Sequence, residues 1–326
     1  MSGLPEFSLA RPATLAEASA LLAGGARAIA GGTDLLPNLR RGIERPQCLV
    51  DLGCLAGLDA IEEHDGALVL GAGVTLARLA DDARVSCHLA ALDEAARAVA
   101  GPGHRTAATL GGNLCQDTRC VYYNQSEWWR GSNGWCLKRG GDTCHVAPQG
   151  KRCHAAFSGD LAPALLAAGA EIEVATTGGV RRMPLADLYR DDGAAHLTLA
   201  PGEFIARVRL AARAPDQRSA YRKARARGSM DFPLAGVAVV LSLREGMLAK
   251  LGVGLSGTNS NPFRLAGTEA FIGQRVDEPL LTALGKLVQK QVSPMRSTVT
   301  QSNYRRLVAS VLTQRLVRDL AAAAPG

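Results

Sequence analysis

The sequence predicts an α+β fold: a two-lobed N-terminal region followed by a C-terminal α/β domain. Residues 12–52 carry a helix and two short apolar strands, a βαβ-like start. Residues 67–210 mix strands of period two with Ala/Leu-rich helices. From Ser219, three strands are followed by a run of helices.

In order, Thr14 with Glu17 three residues on forms a capping box. Leu15, Ala18, Leu21 and Leu22 give that helix its apolar face, and Gly24-Gly25 ends it. Arg27–Ala30 reads as a buried strand running into Gly31-Gly32-Thr33-Asp34, and Cys48–Leu52 as a second strand. Ala67–Val74 is a strand, Thr75–Leu79 starts a helix, and Leu89–Val99 is an Ala-rich helix. Leu161–Ala168 is helical, Ala170–Ala175 and Glu203–Leu210 alternate as strands, and Met183–Tyr189 is a short helix. The last third gives strands at Ser219–Arg225, Ala235–Leu243 and Leu248–Leu255, then helices at Thr268–Phe271, Glu278–Gln291 and Ser302–Leu320. In the last, Tyr304, Leu307, Val308, Val311, Leu312 and Leu316 share a face and predict core or a subunit contact. The expected domains are an N-terminal lobe at 1–55, a second lobe at 56–214 interrupted by an insertion at about 116–156, and a C-terminal domain at 215–326.

A chain of 326 residues can bury a sizeable core, and its 47% hydrophobic and 21% charged content argues for order. The net charge of +7 suits an acidic cofactor or partner. No Lys/Arg-rich run with interleaved aromatics occurs, which argues against nucleic acid. The N-terminus lacks a basic segment followed by an apolar run, and no apolar stretch approaches a membrane span. A cytoplasmic protein with reduced cysteines is expected. Cys48, Cys54 and Cys87 stand singly among apolar residues and read as small buried hydrophobes.

Two glycine pairs stand out. Gly31-Gly32-Thr33-Asp34 follows a strand, and Gly111-Gly112-Asn113 follows Thr109. Turns of this kind free backbone amides for an anion, and the two together suit an elongated diphosphate or are two ordinary tight turns. Gly71-x-Gly73 lacks the third glycine of a dinucleotide fingerprint, with Leu76 in its place, and is read against a Rossmann site. Between the second glycine pair and Ser158-Gly159-Asp160 lies the insertion. It holds Cys120, Cys136, Cys144 and Cys153 together with Trp128, Trp129 and Trp135, and Tyr122 and Tyr123 at its edge. These cysteines lack the paired knuckles of a structural zinc site, and disulfides do not suit a reduced compartment. Spacing leaves an iron–sulfur cluster, zinc and free thiols open. His145 and His154 read as neighbours of the cysteines, and the aromatic residues as a shield or an anchor for the loop.

Ala30–Pro37 and Ala108–Leu114 resemble the two flavin-gripping segments of the FAD domain of the molybdenum hydroxylases, the xanthine and carbon monoxide dehydrogenase family. Ser158-Gly159-Asp160-Leu161 resembles a third segment near the flavin, and Tyr221-Arg222-Lys223 a Lys-bearing strand. The likeness covers nearly the whole chain, including a C-terminal domain like that of the carbon monoxide dehydrogenase flavoprotein. Thr118–Arg130, Cys136-Leu137-Lys138 and Cys144-His145-Val146 resemble the β subunits of the 4-hydroxybenzoyl-CoA reductases, whose insertion carries an extra 4Fe–4S cluster.

The resemblance implies FAD held by Ala28, Ile29, Ala30, Gly31, Gly32, Thr33, Asp34, Leu35, Gly101, Thr109, Gly112, Asn113, Cys115, Gln116, Asp160, Ile205 and Lys223. Asp160 and Lys223 are implied near the flavin ring, and Cys120, Cys136, Cys144 and Cys153 as ligands of a 4Fe–4S cluster. It further implies an electron-relay subunit with no acid–base or nucleophilic machinery of its own. Its partners would be a molybdopterin-binding large subunit and a 2Fe–2S small subunit, in a dimer of heterotrimers. Ferredoxin would supply electrons. Of the basic residues near the loop, Arg119, Arg130, Lys138, Arg139, Lys151 and Arg152 read either as its docking face or as an ordinary solvated face.

Overall fold

The structure, a computed structural model, describes residues 3–228 and 230–323. The N-terminal lobe contains β1 (Ser8–Ala10), α1 (Leu15–Ala23), β2 (Arg27–Ile29), α2 (Leu35–Arg40) and β3 (Cys48–Asp51). Its three strands are parallel in the order β1-β3-β2. Half of the capping box is present: Thr14 Oγ1 accepts from the Glu17 amide at 3.1 Å, while Glu17 Oε2 accepts from the Ala13 amide at 2.7 Å, one residue before the N-cap. Neither β1 nor α2 is evident in the sequence. β1 is a three-residue edge strand, and α2 follows the glycine turn with Pro37 in its first turn.

The second lobe comprises β4 (Ile61–His64), β5 (Ala67–Gly71), α3 (Leu76–Asp81), α4 (Ala83–His88), α5 (Ala90–Ala98), α6 (Pro102–Arg105), α7 (Leu110–Leu114), α8 (Glu127–Ser132), α9 (Leu161–Ala168), β6 (Glu171–Thr176), β7 (Gly179–Pro184) and β8 (Phe204–Leu210). The strands form an antiparallel sheet in the order β4-β5-β8-β6-β7. The short helix expected over Met183–Tyr189 is instead the end of β7 followed by a 3-10 turn at Leu185–Leu188. Gly71 and Gly73 serve packing. A Cβ on Gly71 would collide with the Leu58 carbonyl, and one on Gly73 would lie 3.0 Å from it.

Strand alternation on β8 joins the lobes. Phe204 and Ala206 pack with Ala18 and Val50 of the first lobe, while Ile205 points into the core of the second. The C-terminal region has β9 (Gln217–Ala224), β10 (Ala235–Arg244), β11 (Met247–Ser256) and β12 (Phe263–Arg264), antiparallel in the order β12-β11-β10-β9, with α10 (Glu278–Gln291) and α11 (Ser302–Ala322). One face of this sheet lies on the two helices and the other on α9, whose residues 161–167 are all buried. A helix apolar on every side belongs in such a place. Gly252 and Gly254 of β11 allow the approach, since a Cβ on either would collide with the α9 main chain.

The apolar stripe of α11 is only partly core. Leu316 is buried and Val308 and Leu312 are half-buried, but Tyr304, Leu307 and Val311 are exposed. The inward face carries Arg305, Ala309, Thr313 and Val317. Arg305 is accommodated because its guanidinium donates to the Leu234, Met295 and Gly257 carbonyls. Cys54 and Cys87 are exposed and Cys48 is half-buried, so the expectation of three buried cysteines is corrected. All three lie at the ends or edges of short elements rather than inside a core. Among the described residues no helix is long and apolar enough to cross a membrane.

Candidate functional site

The turn after β2 has the form that anions bind. Among the described residues no acceptor stands opposite the amides of Gly31, Gly32, Thr33, Asp34 and Leu35. Gly32 takes φ +67, which a side chain tolerates poorly. Gly31 lies flat against the second lobe, and a Cβ there would collide with the Ala107 carbonyl. The two flavin-type segments therefore meet, with Ala28, Ile29 and Ala30 leading into the turn.

The second segment works differently. Thr109 Oγ1 caps α7 by accepting from Gly112 N at 3.2 Å. The Leu110 and Gly111 amides donate to Val74 and Ala72 carbonyls, so this turn offers shape rather than free donors. Gly111 is small because Ala72 Cβ would lie 2.9 Å from its Cβ. Gly112 is exposed. Gly101 caps α6 with Met230 packed over it. Asn113 Oδ1 accepts from Leu161 N at 3.1 Å and fixes the start of α9.

At that start lies Asp160, 3% exposed. Its Oδ1 accepts from the Tyr221 hydroxyl at 2.6 Å and lies 3.0 Å from Lys223 Nζ, which also donates to the Asp231 carbonyl at 3.1 Å. Burial pushes the Asp160 carboxyl above its usual range, opposed by Lys223 and by the Tyr221 hydrogen bond. Ile205 is core, 3% exposed. Cys115 packs against the second-lobe core, and burial pushes its thiol up to about 12. The Gln116 carbonyl meets His196 Nε2 at 3.0 Å, and burial holds that imidazole down at about 4.

The insertion folds back on itself. Cys120, Cys136, Cys144 and Cys153 line one small cavity, which Tyr122, Tyr123, Lys138 and His145 complete. Cys120, Cys144 and Cys153 are buried and Cys136 is half-buried. Burial raises the Cys120 thiol and pushes Cys153 up to about 12, with the neighbouring cysteines adding to both. The sulfurs of Cys120 and Cys153 are thus within electrostatic reach of their neighbouring cysteines. Backbone amides face the sulfurs, as the Ala155 amide does Cys153 Sγ at 3.4 Å. Among the described residues no three donors converge closely enough for a single metal ion. Four cysteines, three of them buried, give the cavity an all-thiol donor set, the donor chemistry of an iron–sulfur cluster or of a thiolate zinc site.

None of the tryptophans lines this cavity. Trp128 is 78% exposed, whereas Tyr122 and Tyr123, expected alongside the tryptophans, line the wall with His145. His145 packs on Tyr122 with ring centres 5.3 Å apart and meets the Trp135 carbonyl at 2.8 Å, whereas His154 does not reach the cavity. Three of the six basic residues expected on a docking face are structural. Arg130 is 2% exposed and spans the carbonyls of Tyr123, Gln125, Arg41 and Gly42. The Arg119 side chain, 12% exposed, pairs with Asp34, and the Lys138 side chain, 7% exposed, pairs with Asp117. Arg152 is tied to Asp191, and Lys151 is exposed.

Asp117 is a site residue that no motif pointed to, and Tyr123, part of the Thr118–Arg130 stretch, is its partner. The Asp117 amide donates to Asp34 Oδ2 at 3.1 Å, and its carboxylate receives the Tyr123 hydroxyl at 2.9 Å and Lys138 Nζ at 2.6 Å. One residue thereby bridges the anion turn and the cysteine cavity.

A family model described as the FAD binding domain in molybdopterin dehydrogenase matches residues 5–212. A second, the CO dehydrogenase flavoprotein C-terminal domain, matches residues 219–320. The chain is 36% identical over 280 residues to the FAD-binding subunit of an aldehyde oxidoreductase of Escherichia coli, covering 82% of this chain and 86% of the relative. It is 26% identical to the carbon monoxide dehydrogenase medium chain of Afipia carboxidovorans, with 95% of each covered. A crystal structure of the Cu,Mo-CO dehydrogenase matches with a TM-score of 0.80 and 25% identity, over 99% of this chain and 100% of that one.

Proposed function

This chain belongs to the family of FAD-binding subunits of the molybdenum hydroxylases, and on that premise we propose that it is the FAD and 4Fe–4S subunit of a 4-hydroxybenzoyl-CoA reductase. The observation that carries this reading is the convergence of Cys120, Cys136, Cys144 and Cys153 on one cavity, tied through Asp117 to the anion turn. The loop sequence around them resembles the β subunits of those reductases, as set out above.

When bound, an iron–sulfur cluster passes single electrons and FAD takes one or two, which joins a one-electron donor to two-electron chemistry at molybdenum in a partner subunit. The chain's own residues bind and exclude water. The amides of residues 31–35 hold the diphosphate, with Thr109 and Gly112 shaping the opposite wall. Asp160 and Lys223 place a buried ion pair for the flavin ring. Ala28, Ile29, Ala30, Gly101, Asn113, Cys115, Gln116 and Ile205 contribute shape or second-layer support, as their burial and hydrogen bonds suggest. The partners are a molybdopterin-binding large subunit and a 2Fe–2S small subunit, in a dimer of heterotrimers. A ferredoxin docks on the exposed Lys151 and the half-buried Arg139.

Protein purified without oxygen is expected to show a flavin spectrum with iron and acid-labile sulfide in equal amounts. Zinc without iron overturns the cluster. With its partner subunits and reduced ferredoxin, it is expected to support conversion of 4-hydroxybenzoyl-CoA to benzoyl-CoA. A second reading, the flavin subunit of an aldehyde-oxidising enzyme, is favoured by the aldehyde oxidoreductase relative. Turnover of aldehydes in place of the thioester selects it.

A further inference from the structure

The cysteine cavity has one formally charged side chain in its lining, that of Lys138; the other linings are cysteine, aromatic, imidazole or aliphatic. The Lys138 ammonium is held from several sides. Nζ lies 2.6 Å from Asp117 Oδ1, donates to Thr118 Oγ1, and stands 4.3 Å from the centre of the Tyr123 ring. Tyr123 in turn donates its hydroxyl to the other Asp117 oxygen at 2.9 Å. The Lys138 and Asp117 side chains are only 7% and 15% exposed. Water therefore screens this pair less than it would an exposed one, and its charges are felt in the cavity.

We propose that the Lys138–Asp117 pair sets the reduction potential of the cluster held by the four cysteines, with Lys138 raising it and Asp117 offsetting part of that rise. This rests on the cluster assignment made above. Reduction takes one electron from a low-potential donor of the ferredoxin class and adds one negative charge to a thiolate-ligated group. No bond is made and no proton is moved. A fixed cation at the cavity wall stabilises the reduced form more than the oxidised one, and a carboxylate behind it does the reverse. Both are positioning residues, since neither supplies a ligand.

The two charges make opposite demands, which a merely structural role does not. The test is an anaerobic redox titration of the full cofactor-loaded chain, following the cluster's electron paramagnetic resonance signal, with iron and sulfide assayed in each variant. Lys138→Met is expected to lower the potential by about tenfold in the reduced-to-oxidised ratio, equivalent to about 59 mV for one electron. Asp117→Asn, which keeps the main-chain bond to Asp34, is expected to raise it, and Lys138→Arg to stay near the parent value. Unchanged potentials, or shifts of the same sign in Lys138→Met and Asp117→Asn with iron retained, overturn the proposal. If Lys138→Met sheds its iron, Asp117→Asn decides the matter: an upward shift supports the proposal, and none or a downward one overturns it. A parent protein that binds no iron overturns the cluster assignment itself, a separate failure visible before any variant is made.

Discussion

The main-chain amide of Asp117 donates to Asp34 Oδ2 across 3.1 Å, while Asp34 Oδ1 pairs with Arg119. Asp34 ends the anion turn, and Asp117 and Arg119 open the insertion. One carboxylate thus anchors the added loop to the flavin framework. Asp34→Asn leaves Arg119 half-paired in a site where its side chain is 12% exposed, with its Nε already lacking a partner. Breaking a fully buried pair costs about 3–5 kcal/mol; with Asp34 25% exposed, a loss of about 2 kcal/mol is expected. Chemical denaturation measures it, and retained flavin and iron should fall together because both sites hang on this residue.

Gly31→Ala tests the meeting of the lobes. The new methyl would collide with the Ala107 carbonyl, which belongs to main chain and cannot rotate away. Overpacking of this kind costs about 1–3 kcal/mol. Flavin content is expected to drop further than the melting temperature, since the displaced turn carries the free amides. Gly25→Ala is a weaker control: its φ of +93 brings strain but no steric clash, and it lies outside the site. A Gly31→Ala protein with full flavin would refute the close approach.

Much of this was legible in the chain, and what was not has physical causes. α1 with its Thr14 cap, α9 with its unbroken apolar run and α10 after Asp277 follow local rules. β1, β4 and β7 are short edge strands, and β4 and β7 are largely exposed, so no burial pattern marks them. The α11 stripe misled because its inward face accepts Arg305 and Thr313, whose donors are satisfied by carbonyls, leaving Tyr304 and Leu307 outside. The glycine turn was visible, but not that Gly31 abuts Ala107. Asp117 carried no motif at all. Its role arises from three partners, Asp34, Tyr123 and Lys138, that only folding brings together.

His196 should confer a pH dependence on stability. Its imidazole is 7% exposed, meets the Gln116 carbonyl at 3.0 Å and is held neutral, down at about 4 from an ordinary 6.5. The unfolded chain therefore binds a proton that the folded chain refuses. The contribution is complete above pH 6.5 and is lost as pH falls toward 4. A shift of this size corresponds to a loss of about 3 kcal/mol across that window. His196→Gln should flatten the acid limb of a stability–pH curve obtained by denaturant titration, and an unchanged limb would show that another group governs it.

Arg130 gives the sharpest test of how the insertion is fastened. Its guanidinium is buried without a carboxylate partner and reaches Tyr123, Gln125, Arg41 and Gly42 carbonyls, joining two parts of the loop to the end of α2. Trp135 lies 6.0 Å from it, ring centre to guanidinium carbon. Arg130→Met keeps the aliphatic stem but abandons those acceptors, and hydrogen bonds to a charged group contribute about 1.5–3 kcal/mol each. Lysine has one point of charge and cannot span carbonyls on both sides, so Arg130→Lys should recover little. The damage should stay local: proteolysis is expected to cut within residues 116–156 first, and iron to be lost before flavin. Loss of flavin before iron would mean that Arg130 supports the lobes rather than the loop.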